Sequence, residues 1–361
     1  MNINDHRKAI DDLDQRIVEL ISERGRHAHE IGRTKAAQAA EAFAPARERE
    51  VFDRLAALNP GPLPDAALRA IYREIISACR ALERPLAISY WGPAGSNTHV
   101  ATLHRFGHGV RLTSGESIAA VFSEVEKGGA DYGVVPVENS TEGIVSYTFD
   151  RFLDSDLRVC AEIYLPIRHS IVSKAGSLAD IRRLYTMFQA TAQCQGWLAR
   201  HLPQVELVEV STTARAAQIA AGEPDAAAIA NTVAAEEYGL ALLAEGIEDN
   251  ARNYTRFFVL GRTQPPPTGQ DKTSILFSVP HEAGALVRAL AAFEKYDRNL
   301  TLIQSRPTKL TPWEYVFFVD VDGHVEEPGD SPLRRALKLF QERCLFVRVL
   351  GSYPESSDVS R

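Results

Sequence analysis

Between Asn4 and Lys35 the apolar residues Ile10, Leu13, Ile17, Leu20 and Ile31 recur at helical spacing, with no proline and one glycine before Gly32. That period predicts a single long helix. About 30 residues at 1.5 Å each give a rod of roughly 45 Å, more than a small domain covers alone, so a helical dimer is expected. Two further helices are predicted. One runs from about Arg47 to Leu58 and is closed by Asn59-Pro60-Gly61-Pro62; the other starts with Pro64 in its first turn and ends near Leu82. From Leu86 the pattern changes to short apolar strands alternating with helices: LAISYWG, DYGVVPVEN, VELVEV, DAAAIA and RFFVLG. This is the pattern of an α/β domain. It runs to Gln264-Pro265-Pro266-Pro267-Thr268-Gly269, which reads as a stiff linker. The tail then reads strand, helix, strand, strand, helix, strand from Thr273 to Leu350, the βαββαβ order of the ferredoxin-like plan.

Composition narrows the class. A chain of 361 residues is expected to hold two or three domains. No uncharged apolar run approaches the roughly 18 residues of a membrane span, and the charged N-terminal stretch lacks the apolar core of a signal peptide, so a cytoplasmic protein is expected. Cys79, Cys160, Cys194 and Cys344 lie far apart and form no ligand cluster, which argues against a disulfide framework, a metal site or a metal cofactor. A net charge of -7 argues against nucleic acid as partner. An anionic substrate would therefore be held by local cations.

The first segment offers such cations. Arg24 and Lys35 are eleven residues apart and fall within roughly 20° of each other on the stripe of Leu13, Ile17 and Ile31. One such side chain is usually a snorkelling surface residue. Two aligned cations call for a carboxylate, either Glu48, Glu83 or that of a ligand. The set Arg7, Arg24, Lys35, Arg47, Glu48 and Glu83 resembles that of the all-helical chorismate mutase family, over residues 1–84. The resemblance implies two interlocked protomers, with Arg7 reaching the partner's site and Arg24 and Arg47 holding the carboxylates of chorismate. It further implies that Lys35 and Glu83 bracket the breaking ether oxygen and that Glu48 accepts the ring hydroxyl. Two positions depart from relatives: Glu83, where some carry glutamine, and Ala44, where some carry aspartate.

In the second segment, GVVPVENSTEG (133–143) is an apolar strand that delivers Glu138, Asn139, Ser140 and Thr141 as one polar cluster. A strand end feeding a helix start suits a carboxylate, and equally suits a simple helix cap. With WGPAGSNTH (91–99), QATAQC (189–194) and Thr255-Arg256-Phe257, it resembles the motifs of prephenate dehydratases. That resemblance spans about 86–263 and implies a two-lobed, periplasmic-binding-protein-like α/β fold around a cleft. It makes Thr255 the catalytic residue, with Glu138, Asn139 and Gln193 beside it. Ser140, Thr141, Thr186, Arg256 and Phe257 are expected to bind prephenate. Thr186-Met187 replaces the Ser-His of many relatives and Asn97 replaces an aromatic; His99 and His169 are read as surface or packing residues.

The tail, 272–352, carries no clustered acid, base and nucleophile. Its Gly284-Ala285-Leu286-Val287 and Ser305-Arg306-Pro307 look like the phenylalanine-binding motifs of ACT domains at a dimer interface, with Gln304 where glutamate is usual. Taken together, the chain resembles the fused mutase and dehydratase of phenylalanine biosynthesis. No cofactor is implied; the expected partners are chorismate, prephenate, L-phenylalanine and further copies of the chain, as a homodimer or higher homo-oligomer. A second segment that accepts arogenate, or only binds a ligand, is the alternative.

Overall fold

The computed structural model describes residues 2–37, 43–307 and 315–356, apart from the side chains of 35–37. The chain separates into two compact units, Met1–Ile88 with Leu103–Leu112, and Ser89–Thr102 with Thr113–Arg361.

The first unit is built on three helices, α1 (Ile3–Ala37), α2 (Pro45–Leu58) and α3 (Asp65–Ala81). Pro45 opens α2, where its missing N–H costs nothing, while α3 carries Asp65 in its first turn and Arg80 in its last, complementing the helix dipole. The side of α1 in close contact with its own chain is glycine-lined. A Cβ on Gly25 would touch Leu82, one on Gly32 would overlap Glu83, and His29 Nδ1 lies 3.2 Å from the Leu82 carbonyl. The apolar stripe expected inside is open instead, with Leu13 and Ile17 each 50% exposed.

Among the described residues the strands form three sheets, mostly within the second unit. In the first, the strand order is Arg111–Gly115, Ala87–Trp91, Tyr132–Asn139, Tyr254–Gly261, Arg158–Pro166, with Gly143–Ile144 added to Tyr132–Asn139. The second has the order Ala241–Glu245, Ser170–Ser173, Ala226–Ala230, Arg183–Thr186, Glu206–Glu209. The chain passes between these two sheets after Pro166 and again before Tyr254, and the two crossings are joined by the Ile167 N–H donating to the Asn253 carbonyl at 2.8 Å. The third sheet is fully antiparallel, in the order Leu300–Pro307, Tyr315–Asp322, Asp271–Ser278, Phe346–Pro354. Helices Ala285–Lys295 and Pro332–Gln341 complete its βαββαβ order.

The third sheet shares a core with the first: Leu276, Val316, Phe318, Leu350 and Tyr353 pack with Val135, Phe149 and Phe258. The proline-rich stretch is accordingly not a free linker. Pro265 is buried with its carbonyl 2.9 Å from His324 Nε2, and Gln264 Oε1 accepts the Ser352 N–H at 3.0 Å. Among the described residues no helix is long and apolar enough to cross a membrane, and no group of His, Cys, Asp and Glu side chains could hold a metal ion.

Candidate active sites

Strand Tyr254–Gly261 is an inner strand, paired antiparallel on both sides, with Thr255 opposite Asn139 and Arg256 opposite Glu138. Neighbouring residues on a strand face opposite ways, so Thr255 and Asn139 share one side of the sheet while Arg256 and Glu138 share the other. On the Thr255 side, Asn139 Nδ2 donates to Thr255 Oγ1 at 2.8 Å and to Asn253 Oδ1 at 2.9 Å. Asn253 Nδ2 donates to Gln193 Oε1 at 2.8 Å, and His169 Nε2 reaches the same oxygen at 2.9 Å. Gln193 Nε2 lies 3.4 Å from Glu142 Oε1. Ser140 seals the end of the strand: its Oγ accepts the Tyr254 N–H at 3.0 Å, and its N–H donates to the Tyr254 carbonyl at 2.8 Å. The N–H of Thr141 donates to Asn139 Oδ1 at 2.9 Å. Gln193 closes the short helix Phe188–Gln193 beside the second sheet, so the cluster draws on both sheets and both crossings.

Thr255, Asn139, Ser140, Thr141 and Gln193 are thus brought together, whereas four other candidates are not. Glu138 lies on the opposite side of the sheet, with Arg256. Arg256 is fully enclosed and ion-paired to Glu162 at 2.7 Å and Asp320 at 2.5 Å, with Lys272 on the same Glu162 at 2.8 Å. Arg256 therefore has no charge to offer a substrate at Thr255; it joins the first sheet to the third. Phe257 is 1% exposed and serves as packing. Thr186, at the end of strand Arg183–Thr186, is buried and turned to the start of the helix that follows, its Oγ1 3.1 Å from Thr191 Oγ1 and 3.2 Å from the Met187 carbonyl.

Two members of the cluster were missed. Asn253 carried no motif of its own, and its position two residues before Thr255 was the only available signal. His169, by its sequence a surface or packing residue, is buried and bonded to Gln193; His99, stacked on Tyr90 at 4.9 Å, does pack. Burial lowers the His169 pKa below its ordinary 6.5, raises the Glu142 carboxyl, and pushes the Cys194 thiol up to about 12, so Cys194 is no thiolate nucleophile near neutrality.

In the helical unit, Glu48 is buried and already engaged, meeting Arg80 and, at 2.7 Å, Arg105, with both guanidinium groups over the Phe43 ring. The side chain expected to accept a substrate hydroxyl thus carries one arginine partner on each of its two oxygens. Arg47 is exposed and paired with Glu50 at 2.6 Å. Arg24 is half-buried, and Glu83 is half-buried against Gly32. The Lys35 side chain lies outside the described residues. Arg7 is exposed, and 17 residues of helix place it about 25 Å along α1 from Arg24, too far to share one site within a single chain.

In the tail, Gly284 caps helix Ala285–Lys295 with φ 79°, a left-handed conformation that suits glycine. Ala285 and Leu286 line a groove of about 790 Å³ with His281, Glu282, Tyr315 and Phe346. Ser305, Arg306 and Pro307 lie on the edge strand and do not line it. Arg306 instead bonds Asp150 at 2.9 Å and Ser146 at 2.9 Å, so the expected phenylalanine-binding set is divided within one chain.

Family models place these features. The model described as prephenate dehydratase matches residues 88–265, and that described as chorismate mutase type II matches residues 6–84. The bifunctional chorismate mutase/prephenate dehydratase of Aquifex aeolicus (strain VF5) is 46% identical over 354 residues, covering 97% of each chain. Among solved structures, the prephenate dehydratase of Arthrobacter aurescens in complex with L-Phe is similar with a TM-score of 0.69 and 33% identity, over 76% of this chain and 92% of that one. A chain described as GqqA, a novel type of quorum quenching acylase, is similar with a TM-score of 0.68 and 29% identity, over 75% of this chain and 98% of that one.

Proposed function

The chain belongs to the bifunctional chorismate mutase/prephenate dehydratase family of phenylalanine biosynthesis, and on that premise we propose how its residues divide the two reactions. Residues 1–84 carry out the Claisen rearrangement of chorismate to prephenate. The reaction has no covalent intermediate, so the protein contributes conformational restraint and stabilisation of charge on the breaking ether oxygen. Arg24 and Arg47 bind the carboxylates, and Lys35 and Glu83 flank the ether oxygen. Glu48 holds Arg80 and Arg105 in place. Arg7 acts in the site of a second copy, a reading supported by its distance from Arg24 and by the open stripe of Leu13 and Ile17; the enzyme works as a homodimer or higher homo-oligomer.

Residues 86–263 convert prephenate to phenylpyruvate, losing CO2 and the ring hydroxyl as the ring becomes aromatic. A threonine hydroxyl is too weak an acid to give up its proton near neutrality, so Thr255 hydrogen-bonds the departing hydroxyl, with Asn139 and Gln193 orienting it. Glu142, an exposed residue whose carboxyl is raised by partial desolvation, accepts from Gln193 Nε2 at the edge of this cluster. The arogenate alternative is not favoured, since the relatives are named for prephenate. Residues 272–352 form an ACT domain that binds L-phenylalanine, as the Arthrobacter enzyme does. In the bound state the Gly284–Leu286 groove of one chain and Ser305–Pro307 of another supply the site, and differential affinity for one quaternary state transmits inhibition. The enzyme acts on soluble anions in the cytoplasm.

The convergence of Asn139, Gln193 and Thr255 carries this reading. It is tested by supplying chorismate to the purified full chain and following both its loss and the appearance of phenylpyruvate in alkali. Thr255→Val should consume chorismate normally and form phenylpyruvate at least about a hundredfold more slowly, while Thr255→Ser retains most of the rate. A fully active valine variant would remove Thr255 from the mechanism.

A further inference from the structure

The amide cluster has a direction, set by the backbone. The N–H groups of Thr141 and Glu142 both donate to Asn139 Oδ1, at 2.9 and 3.0 Å. An N–H can only donate, so that atom is the amide oxygen, and the Asn139 nitrogen faces Thr255 Oγ1 and Asn253 Oδ1. With its oxygen committed to Asn139, Asn253 meets Gln193 Oε1 through its nitrogen. Gln193 Oε1 must then accept from His169 as well, which places a hydrogen on His169 Nε2. Burial keeps that ring neutral near pH 7, with Nδ1 bare. At the other end, Thr255 Oγ1 accepts the Asn139 N–H, leaving its own O–H free to donate outward.

We propose that Asn253 and His169 are positioning residues of the dehydratase site, fixing the orientation of Gln193 and Asn139 so that the Thr255 O–H is presented to the departing ring hydroxyl of prephenate. The inference rests on Thr255 being the donor. Neither positioning residue forms or breaks a bond. Both lie on the crossings between the first two sheets and are almost fully enclosed, Asn253 at 3% and His169 at 4% exposure, so bulk water cannot readily substitute for their hydrogen bonds.

The experiment measures prephenate dehydration and chorismate loss with the full chain carrying Asn253→Asp, His169→Gln or His169→Leu. Asn253→Asp keeps the shape and the acceptor for Asn139 but turns an oxygen towards Gln193 Oε1. Its dehydratase kcat should fall about tenfold or more with KM little changed, because an interaction needed in the transition state is misaligned. His169→Leu should fall comparably, whereas His169→Gln keeps an N–H donor and should retain most of the rate. Chorismate loss should stay at the parent level in all three, reporting intact enzyme. The proposal is overturned by parent kcat in Asn253→Asp or His169→Leu, or by equal losses in His169→Gln and His169→Leu. An active Thr255→Val would instead bring down the donor role on which it rests, a separate result.

Discussion

At the level of single residues, neighbours in sequence part company once a strand forms. Thr255 and Arg256 are adjacent in one motif, but alternation sends Thr255 to the amide cluster and Arg256 into a buried ion-pair group. Sequence reasoning found Thr255, Asn139 and Gln193 through their motifs. It missed Asn253 and His169 because an asparagine and a histidine become site residues only through what folding places beside them. His169 also gives the enzyme a pH signature. Its pKa lies below 6.5 in the folded chain, so the unfolded chain takes up a proton first as pH falls. The stabilising contribution is complete above about pH 6.5 and is lost as pH drops from there towards the folded pKa. Thermal midpoints recorded from pH 7.5 to 5 should therefore decline less steeply for His169→Gln than for the parent, and parallel curves would count against a buried neutral ring.

At the level of elements, the buried charges decide how strands are held. Burial works to raise the Glu162 carboxyl, but the Arg256 guanidinium and the Lys272 ammonium outweigh it and hold it below its ordinary value. Glu162 is central to strand Arg158–Pro166, which the hydrophobic pattern did not predict: a charged residue interrupts the apolar run, and only its two cationic partners make it a core position. Asp320 completes the group from the third sheet, bonded to Arg256 and to Ser274. Asp320→Ala leaves Arg256 with only part of its countercharge, and should cost about 3 kcal/mol of stability, visible as a lower urea midpoint. An unchanged midpoint would mean that water or a rearranged Glu162 replaces the lost carboxylate. The helices were easier to read, because a 3.6-residue period survives whichever face ends up covered. In α1 the period was right, but the face in close contact is the one carrying Gly25 and Gly32.

At the level of the whole molecule, the proposed regulation depends on surfaces that one chain leaves incomplete. Gly284, between the groove-lining Ala283 and Ala285, holds a conformation that a β-branched residue adopts only with strain. Gly284→Val should weaken inhibition by L-phenylalanine at least about tenfold while leaving the uninhibited dehydratase rate near that of the parent; titrating the rate with the amino acid measures both. Unaltered inhibition would place the regulatory site elsewhere. Cutting the chain after Gly261 would be a poor substitute for this experiment, because Leu276, Phe318, Leu350 and Tyr353 belong to the core that also holds Val135 and Phe258.

The sequence by itself determined the order of the three patterns, the long helix, the βαββαβ tail and the motif residues Asn139, Gln193 and Thr255, because periodicity and short motifs are local properties of a chain. Tertiary structure alone decided which side of the sheet each residue of the Thr255 motif faces, that Glu48 is consumed by Arg80 and Arg105, and that Asn253 and His169 complete the amide cluster. Those outcomes depend on partners 114 and 116 residues away, and hydrogen-bond direction and charge neutralisation are settled only between groups already brought into contact.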